Sequence, residues 1–148
     1  MPKYVLSALW LVCGAALLNA QTAAERLRDV KVVYVAPLEG QDQSAADLIH
    51  AKLISYVAKI PAITIVESPD DADAILQLAA FRVETTTDEY GRQHYHVQGA
   101  ARLTKKDGGI VLWADDVSNS PFGRSATSSF AENLAKKLRR ALAESKKK

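Results

Sequence analysis

The stretch that decides the fold is Val30-Lys31-Val32-Val33-Tyr34-Val35-Ala36, which stops at Pro37. β-Branched and apolar residues dominate it, and a run of this length and composition predicts a buried strand. A loop containing Gly40 follows, and Ser44 with Asp47 three residues later predicts a helix that begins with a variant capping box. The helix is expected to bury one face, formed by Ala46, Ile49, Leu53, Val57 and Ile60. The chain therefore opens as a strand followed by an amphipathic helix.

Further strands are predicted beyond Pro61, where the helix ends. They are expected at Ile63–Val66, within Ala74–Thr87, at Gln93–Leu103 and at Ile110–Ala114, the last fading by Ser118. Glycine and aspartate predict tight turns at Asp88–Gly91 and Lys106–Gly109, because these residues adopt positive φ at little cost. The later strands are therefore expected to form an antiparallel meander.

A closing helix is predicted from a capping box formed by Ser129 and Glu132. Its apolar residues step by four along one stripe, namely Phe130, Leu134, Leu138 and Leu142. The complete order is β-α-β-β-β-β-α. We expect an α/β (α+β) two-layer sandwich, in which a mixed sheet of about five strands carries two helices on one face. The first strand–helix–strand unit is expected to be a right-handed crossover.

The segment before the domain has the pattern of a secretory signal. Lys3 precedes an apolar run from Tyr4 to Leu18, and Ala20 is the small residue at the expected cut. Leu18 at the −3 position is larger than the favoured residue, so the cut is placed only to within a few positions. The run is short for a membrane span, although an uncleaved inner-membrane anchor is the alternative.

The only cysteine, Cys13, lies inside the apolar run. A bacterial lipoprotein needs a small residue before its acceptor cysteine, and Val12 does not meet that requirement. Cleavage after Ala20 would leave a mature chain without a thiol, so no disulfide, cysteine nucleophile or cysteine metal site is expected there. The predicted organisation is a signal peptide at 1–20, a lead-in at 21–29, a single globular domain at 30–145 and a basic tail at 146–148.

The charge of the chain is nearly balanced. Removing Lys3 from the 19 basic residues leaves 18 against 17 acidic ones. This balance does not favour a general binder of polyanions, and an exported protein is not expected to bind nucleic acid.

Several segments together resemble a known group of small periplasmic domains. They are the opening strand Val32–Leu38, the step Ala72–Leu76, the hairpin of Gly99–Leu103 with Val111–Ala114, and the closing segment Leu134–Leu138. The chain resembles the curli secretion-channel lipoprotein (CsgG-like) domains and the amino-terminal domain of the Tol-system propeller protein. The resemblance implies an α/β fold, a periplasmic location in a Gram-negative-type bacterium and a part in envelope assembly or protein contact. The chain lacks the lipoprotein cysteine pattern and long amphipathic hairpins, so a channel role is not expected.

Candidate chemistry is sparse in the sequence. His94 and His96 share one face of a strand and could ligate a metal with Glu84 or Asp88, but an exposed polar face is the favoured interpretation. The aspartates at 70, 71 and 73 lack the ligand number of a calcium loop and are interpreted as capping residues. Adjacent Asp115 and Asp116 are expected to point to opposite sheet faces. No catalytic residue, metal site or cofactor is therefore predicted.

The basic C-terminus is the one candidate contact surface with defined residues. It comprises Lys136, Lys137, Arg139, Arg140, Lys146, Lys147 and Lys148. A solvated helix face is the simplest interpretation, and binding to anionic lipid or lipopolysaccharide is the alternative.

The sequence favours a non-enzymatic accessory that is soluble in the periplasm and binds another envelope protein. An anionic-surface module and an unrecognised enzyme remain alternatives. The projecting hairpin around Tyr90 and Tyr95 is the expected binding element, because it offers an open strand edge. The oligomeric state is not predicted.

Overall fold

The computed structural model describes residues 23–107, 109–119 and 125–147. The predicted signal segment, its cut site and Cys13 lie outside the described residues, as do Gly108, Pro121, Gly123 and Lys148. None of the described helices is long and apolar enough to cross a membrane.

Five strands and three α-helices make up the described domain. In chain order they are α1 (Ala23–Arg28), β1 (Val32–Val35), α2 (Gln43–Val57), β2 (Thr64–Val66), β3 (Ala74–Thr87), β4 (Gln93–Lys105), β5 (Val111–Ser118) and α3 (Ala126–Ser145), with a 3-10 turn at Pro69–Asp71. The strands form one sheet in the order β2-β1-β3-β4-β5. β1 lies parallel to both β2 and β3, whereas the β3–β4 and β4–β5 pairs are antiparallel. The predicted mixed five-stranded α/β sandwich is confirmed.

The core lies between the sheet and the two long helices. α2 buries the predicted face of Ala46, Ile49, Leu53 and Val57. The stripe on α3 is also buried, with Phe130, Leu134 and Leu138 fully enclosed. Two periodic faces of this kind can bury their apolar area only against each other and the sheet, which explains the two-layer arrangement.

The short helix α1 adds a third element to this layer. It lies against β5 and α3, and Leu27 and Val30 join the core. Tyr34 and Trp113 are half-buried, and Trp113 packs against the core.

Both helix starts differ from the capping boxes predicted by sequence. α2 is capped by Asp42, whose carboxylate accepts from the Ala45 N–H at 3.0 Å, and not by Ser44. α3 is capped by Ser125, whereas Ser129 lies inside the helix, where its N–H bonds to the Ser125 carbonyl at 3.0 Å. Several residues that can cap a helix lie near each start, Asp and Ser at α2 and Ser and Thr at α3, and the direction in which the packed helix begins decides which of them becomes the cap.

The hairpin turns form where glycine was expected to allow them. Gly91 and Gly109 have φ of 77° and 62°. The Lys105 N–H bonds to the Ile110 carbonyl at 2.8 Å and closes the second turn. The positive φ at both positions is the conformation that glycine adopts without a steric penalty.

Candidate functional site: the groove along the β3–β4 hairpin

The hairpin formed by β3 and β4 extends beyond the rest of the sheet. β1 pairs with β3 only as far as Leu76, and β5 pairs with β4 only from Gln98 onward. β3 and β4 continue to pair with each other until Thr87 meets Gln93. Among the residues that the structure describes, no strand pairs with β3 beyond Leu76 on its outer side, and on the other side β5 pairs with β4 no further than Gln98.

Hydrogen bonds to Asn119 fix which way the backbone of the distal hairpin points. The Val97 N–H donates to the Asn119 side-chain oxygen at 2.7 Å, and the Val97 carbonyl accepts from the Asn119 N–H at 2.9 Å. These groups point away from β3, so Val83, which lies opposite Val97, forms a non-hydrogen-bonded pair with it. The N–H and C=O groups of Val83 therefore point outward on the other edge, and those of Thr85 follow by the two-residue period of a strand.

This outer edge of β3 has no backbone partner among the residues that the structure describes. Within those residues, the hydrogen bonds of β3 beyond Leu76 all lead to β4 or stay on its own side chains. The edge contains no proline, and β3 pairs with β4 in regular register from Arg82 to Thr87, beyond a bulge between Ala79 and Arg82. A free edge of this kind is a template for an additional strand.

A groove of about 960 Å³ runs beside this edge. One wall is the start of α2 and its preceding loop, and the other is the hairpin, with the start of α3 at one end. Its lining includes Leu48, Phe81, Val83, Tyr95 and Val97. Leu48 and Tyr95 are 47% and 53% exposed, which is high for large apolar side chains. Exposed apolar groups gathered in a concave surface indicate a binding site.

The floor of the groove is fixed by aromatic packing. Phe81 and Phe130 meet edge to face with ring centroids 6.2 Å apart, and Phe130 is fully buried in α3. A Cβ atom on Gly40 would lie 3.0 Å from the Phe81 ring, so a side chain at residue 40 would require the ring to shift by a few tenths of an ångström. The polar part of the lining includes the hydroxyl groups of Ser44, Thr85 and Thr127 together with Gln41, Asp42 and Arg82. Such a surface suits an extended chain with alternating apolar side chains.

The tip of the hairpin is organised by Asp88. Its carboxylate accepts from the backbone N–H groups of Tyr90 and Arg92, both at 2.9 Å, from Arg92 Nε at 3.1 Å, and contacts His94 Nε2 at 3.0 Å. The bond with His94, followed by that with the Arg92 N–H, holds the pKa of Asp88 below its ordinary value of 3.8. The ionised carboxylate of Asp88 therefore stabilises the turn at the tip of the β3–β4 hairpin.

His94 and His96, the histidines considered for a metal site, have different acidic neighbours. His94 contacts Asp88, whereas His96 lies opposite Glu84 across the hairpin. Within the described ranges, no three His, Cys, Asp or Glu side chains come together as a ligand set. The arrangement around His94 is that of a turn-stabilising bond.

Asp73 and Asp115 make hydrogen bonds within the fold, Asp73 with backbone N–H groups and Asp115 with a lysine of α3. Asp73 accepts from the N–H groups of Lys31 and Val32 at 3.0 and 2.9 Å and so holds the start of β1. Asp115 is paired with Lys137 Nζ at 2.9 Å, while Asp116 is exposed and offers its carbonyl to the same amine at 2.6 Å. The carboxylates of Asp115 and Asp116 lie on different sides of β5, as the alternation of a strand predicts.

The residues of the predicted basic C-terminal surface do not all face solvent in the same way. Lys137 turns toward the sheet and is half-buried. Lys136 is paired with Glu132 at 2.9 Å and faces solvent, as do Arg139, Arg140, Lys146 and Lys147. Four of these cations, Lys136, Arg139, Arg140 and Lys146, surround a shallow depression containing Ile60 and Pro61. Lys59, which the sequence interpretation omitted, lies beside it.

Comparison with solved structures identifies the fold. The chain is similar to the PelC dodecamer from Paraburkholderia phytofirmans, with a TM-score of 0.55 and 20% identity over 78% of this chain and 88% of that one. A minor lipoprotein from Acinetobacter baumannii gives a TM-score of 0.51 at 8% identity, covering 79% and 93%. Lipoprotein GNA1162 from Neisseria meningitidis gives 0.50 at 16% identity, covering 76% and 95%. No protein-family model and no curated protein matches the chain.

These likenesses establish a small α/β domain of the type found in PelC and in several bacterial lipoproteins. At these identities the shared property is the fold, because sites on a common fold diverge freely. The more specific resemblance to curli and Tol proteins is not decided by them.

The groove itself was only partly foreseen from sequence. The open hairpin edge followed from the length of the predicted strands. Leu48 carried no sequence signal, because it lies one position away from the buried face of α2 and looks like an ordinary surface leucine. Its role depends on how α2 is placed over the hairpin.

Proposed function

We propose that this chain is an exported, non-enzymatic domain of the bacterial envelope, and that the groove along β3 is its protein-contact surface. The observation that carries the proposal is the free edge of β3 beside exposed Leu48 and Tyr95. The signal pattern at 1–20 and the fold shared with PelC and lipoproteins support the location. The sequence favours another envelope protein as the partner.

The charged groups of the lining are engaged in the fold, Asp42 as the cap of α2 and Arg82 in an ion pair with Glu84, which supports a binding role over catalysis. The acidic side chains near the sheet are engaged with backbone N–H groups or with Lys137. The likeness to curli-channel and Tol domains supports a role in envelope assembly, and we propose that the chain is related to them. The segments that carry the likeness are Val32–Leu38, Ala72–Leu76, Gly99–Leu103, Val111–Ala114 and Leu134–Leu138.

Site-specific photo-crosslinking tests the contact surface. A photoreactive residue in place of Tyr95 is expected to give a discrete adduct in intact cells, and the same residue in place of Lys52 on α2 serves as the control. Excess unlabelled domain should compete with the adduct in isolated envelopes. Equal labelling from both positions, or none from Tyr95, contradicts the proposal.

Cell fractionation with N-terminal sequencing tests the location. The mature chain is expected in the periplasmic fraction with a start close to Gln21. An intact Met1 in the membrane fraction would show the tethered form, and an intact Met1 in the cytoplasm would refute export.

A second candidate function is contact with an anionic surface through the basic depression. It is supported by the cations on the C-terminal half of α3 that flank Ile60 and Pro61. Binding to vesicles containing anionic lipid should weaken with salt and should be lost in the Arg139→Glu/Arg140→Glu variant. Lys105→Glu, a reversal elsewhere on the sheet, is the matched control, and salt-independent binding contradicts this function.

A further inference from the structure

The free edge of β3 has a self-complementary sequence. Around Val83 the order is Arg82-Val83-Glu84; the side chains of Arg82 and Glu84 are exposed, and Val83 lines the groove. Reading this segment in the opposite direction exchanges the positive and negative residues about the same valine. An antiparallel copy of the segment would therefore meet opposite charges on both sides of the centre.

Only a few antiparallel registers are possible for two such edges. The backbone N–H and C=O groups of Val83 and Thr85 point away from β4 and supply the hydrogen bonds to an added strand. Each of these residues must therefore lie opposite a residue of the other strand whose backbone groups also point outward. Placing Val83 opposite the partner's Thr85 sets Glu84 against the partner's Glu84, which is repulsive. Centring on Thr85 sets Arg82 against the partner's Asp88, whose carboxylate is already committed to its own turn.

The register centred on Val83 satisfies both charged residues. It places Arg82 opposite the partner's Glu84 and, by symmetry, Glu84 opposite the partner's Arg82. Phe81 then lies opposite the partner's Thr85, and the two Val83 side chains meet on the groove side. In the single chain, Arg82 and Glu84 form an exposed ion pair at 3.3 Å, with side chains 66% and 47% exposed. Exchanging that pair for one between copies loses little, since exposed ion pairs stabilise weakly.

We propose that the groove binds the same strand edge of a second copy of this chain, paired antiparallel about a twofold axis at Val83. The inference rests on the proposed function, which makes the groove a protein-contact surface, and it names one partner for it. The added strand lies along β3, beneath Leu48 and the start of α2, where the groove is open. The twofold axis makes the contact isologous, with the same patch used by both copies.

Charge reversals at the edge test the register directly. The exported full-length chain is purified, and its dissociation constant is measured by sedimentation over a concentration series. Arg82→Glu and Glu84→Arg should each weaken the dimer about tenfold or more, because like charges then face each other twice. Lys105→Glu, on β4 at the opposite end of the sheet, should leave the dimer unchanged.

Mixing the two single variants supplies the decisive measurement. The Arg82→Glu variant has Glu at positions 82 and 84, and the Glu84→Arg variant has Arg at both. Opposite charges therefore face each other in the mixed pair, and a heterodimer should form with an affinity within about threefold of the wild type. Failure of the mixture to associate overturns the register. A wild-type chain that remains monomeric at every concentration overturns the inference itself.

A proline variant distinguishes loss of the edge from loss of the fold. The N–H of Val83 points outward, so Val83→Pro removes a donor from the free edge but none from the β3–β4 ladder. We expect a monomer with an unchanged far-ultraviolet circular dichroism spectrum, and a dimer that survives this change refutes the pairing. If the wild type is monomeric while Tyr95 still crosslinks specifically to another envelope protein, the proposed function stands and the self-pairing is refuted. If that crosslink is absent as well, both are refuted.

Discussion

Replacing Asp73 by alanine removes the acceptor that holds the first strand at its start. One carboxylate oxygen receives the N–H groups of Lys31 and Val32, at 3.0 and 2.9 Å, while the Asp73 N–H donates to the Val32 carbonyl at 2.9 Å. Asp73 is exposed, so water can replace part of each bond. Taking about 0.5–1.5 kcal/mol for each bond, the two lost bonds lower the free energy of unfolding by about 1–3 kcal/mol.

Urea denaturation followed by circular dichroism measures this loss. With a slope of about 1–3 kcal/mol/M for a domain of this size, the midpoint should fall by about 1 M. Asp73→Asn is the matched control, because its amide oxygen can still accept both N–H groups, and it should lose less than Asp73→Ala. A loss below about 0.5 kcal/mol for the alanine variant, or equal losses for the two variants, would refute the assigned role.

Three further changes test the core, the helix cap and the hairpin tip. Leu138→Ala should lower the free energy of unfolding by about 2–5 kcal/mol, since Leu138 is fully buried between α3 and the sheet; an equilibrium melt checks this, and a loss like that of exposed Arg140→Ala would contradict it. Ser125→Ala should cost about 0.5–2 kcal/mol in the same melt, because the Ser125 hydroxyl accepts from the Ser128 N–H, and an unchanged stability would show that the cap lies elsewhere. The order of the hairpin tip should be lost on acidification, because the pKa of Asp88 is lower in the folded chain than its ordinary value of 3.8. The stabilisation of the turn by the ionised carboxylate is complete above pH 3.8 and disappears as the pH falls through the folded-state pKa. Amide exchange at Tyr90 follows this, and protection that is insensitive to acid, or unaffected by Asp88→Asn, would contradict it.

Much of the fold was accessible from local sequence patterns. The run Val30–Ala36 marked β1, the apolar repeat from Ala46 marked α2, and the glycine turns marked the β3–β4 and β4–β5 hairpins. These features depend on neighbours along the chain, so their periodicity reports them directly. Helix caps were less accessible, since Asp42 and Ser125 compete with equally suitable residues nearby, and the winner is set by where the packed helix axis begins.

The candidate site was less predictable than the fold. The sequence indicated the projecting hairpin around Tyr90 and Tyr95 as the binding element and the basic C-terminus as an alternative surface, where the structure separates Lys137, paired with Asp115, from the exposed cations. The groove depends on Leu48 of α2 as well as on Phe81 and Tyr95 of the β3–β4 hairpin, and α2 is separated from that hairpin in the chain by β2. Their convergence is a consequence of packing, and no local pattern contains it.

The sequence by itself determined the element types, the buried faces, the two hairpin turns and the two-layer class, because each follows from periodicity and turn chemistry over a few residues. It also provided the self-complementary order Arg82-Val83-Glu84. Only the tertiary structure decided which edge of the hairpin stays unpaired among the described residues, and that this segment lies on it. That edge exists because β1 stops pairing at Leu76 while β3 continues to Thr87. Where a strand loses its neighbour is set by the relative lengths and register of non-adjacent segments, a property of the folded sheet that no stretch of sequence records.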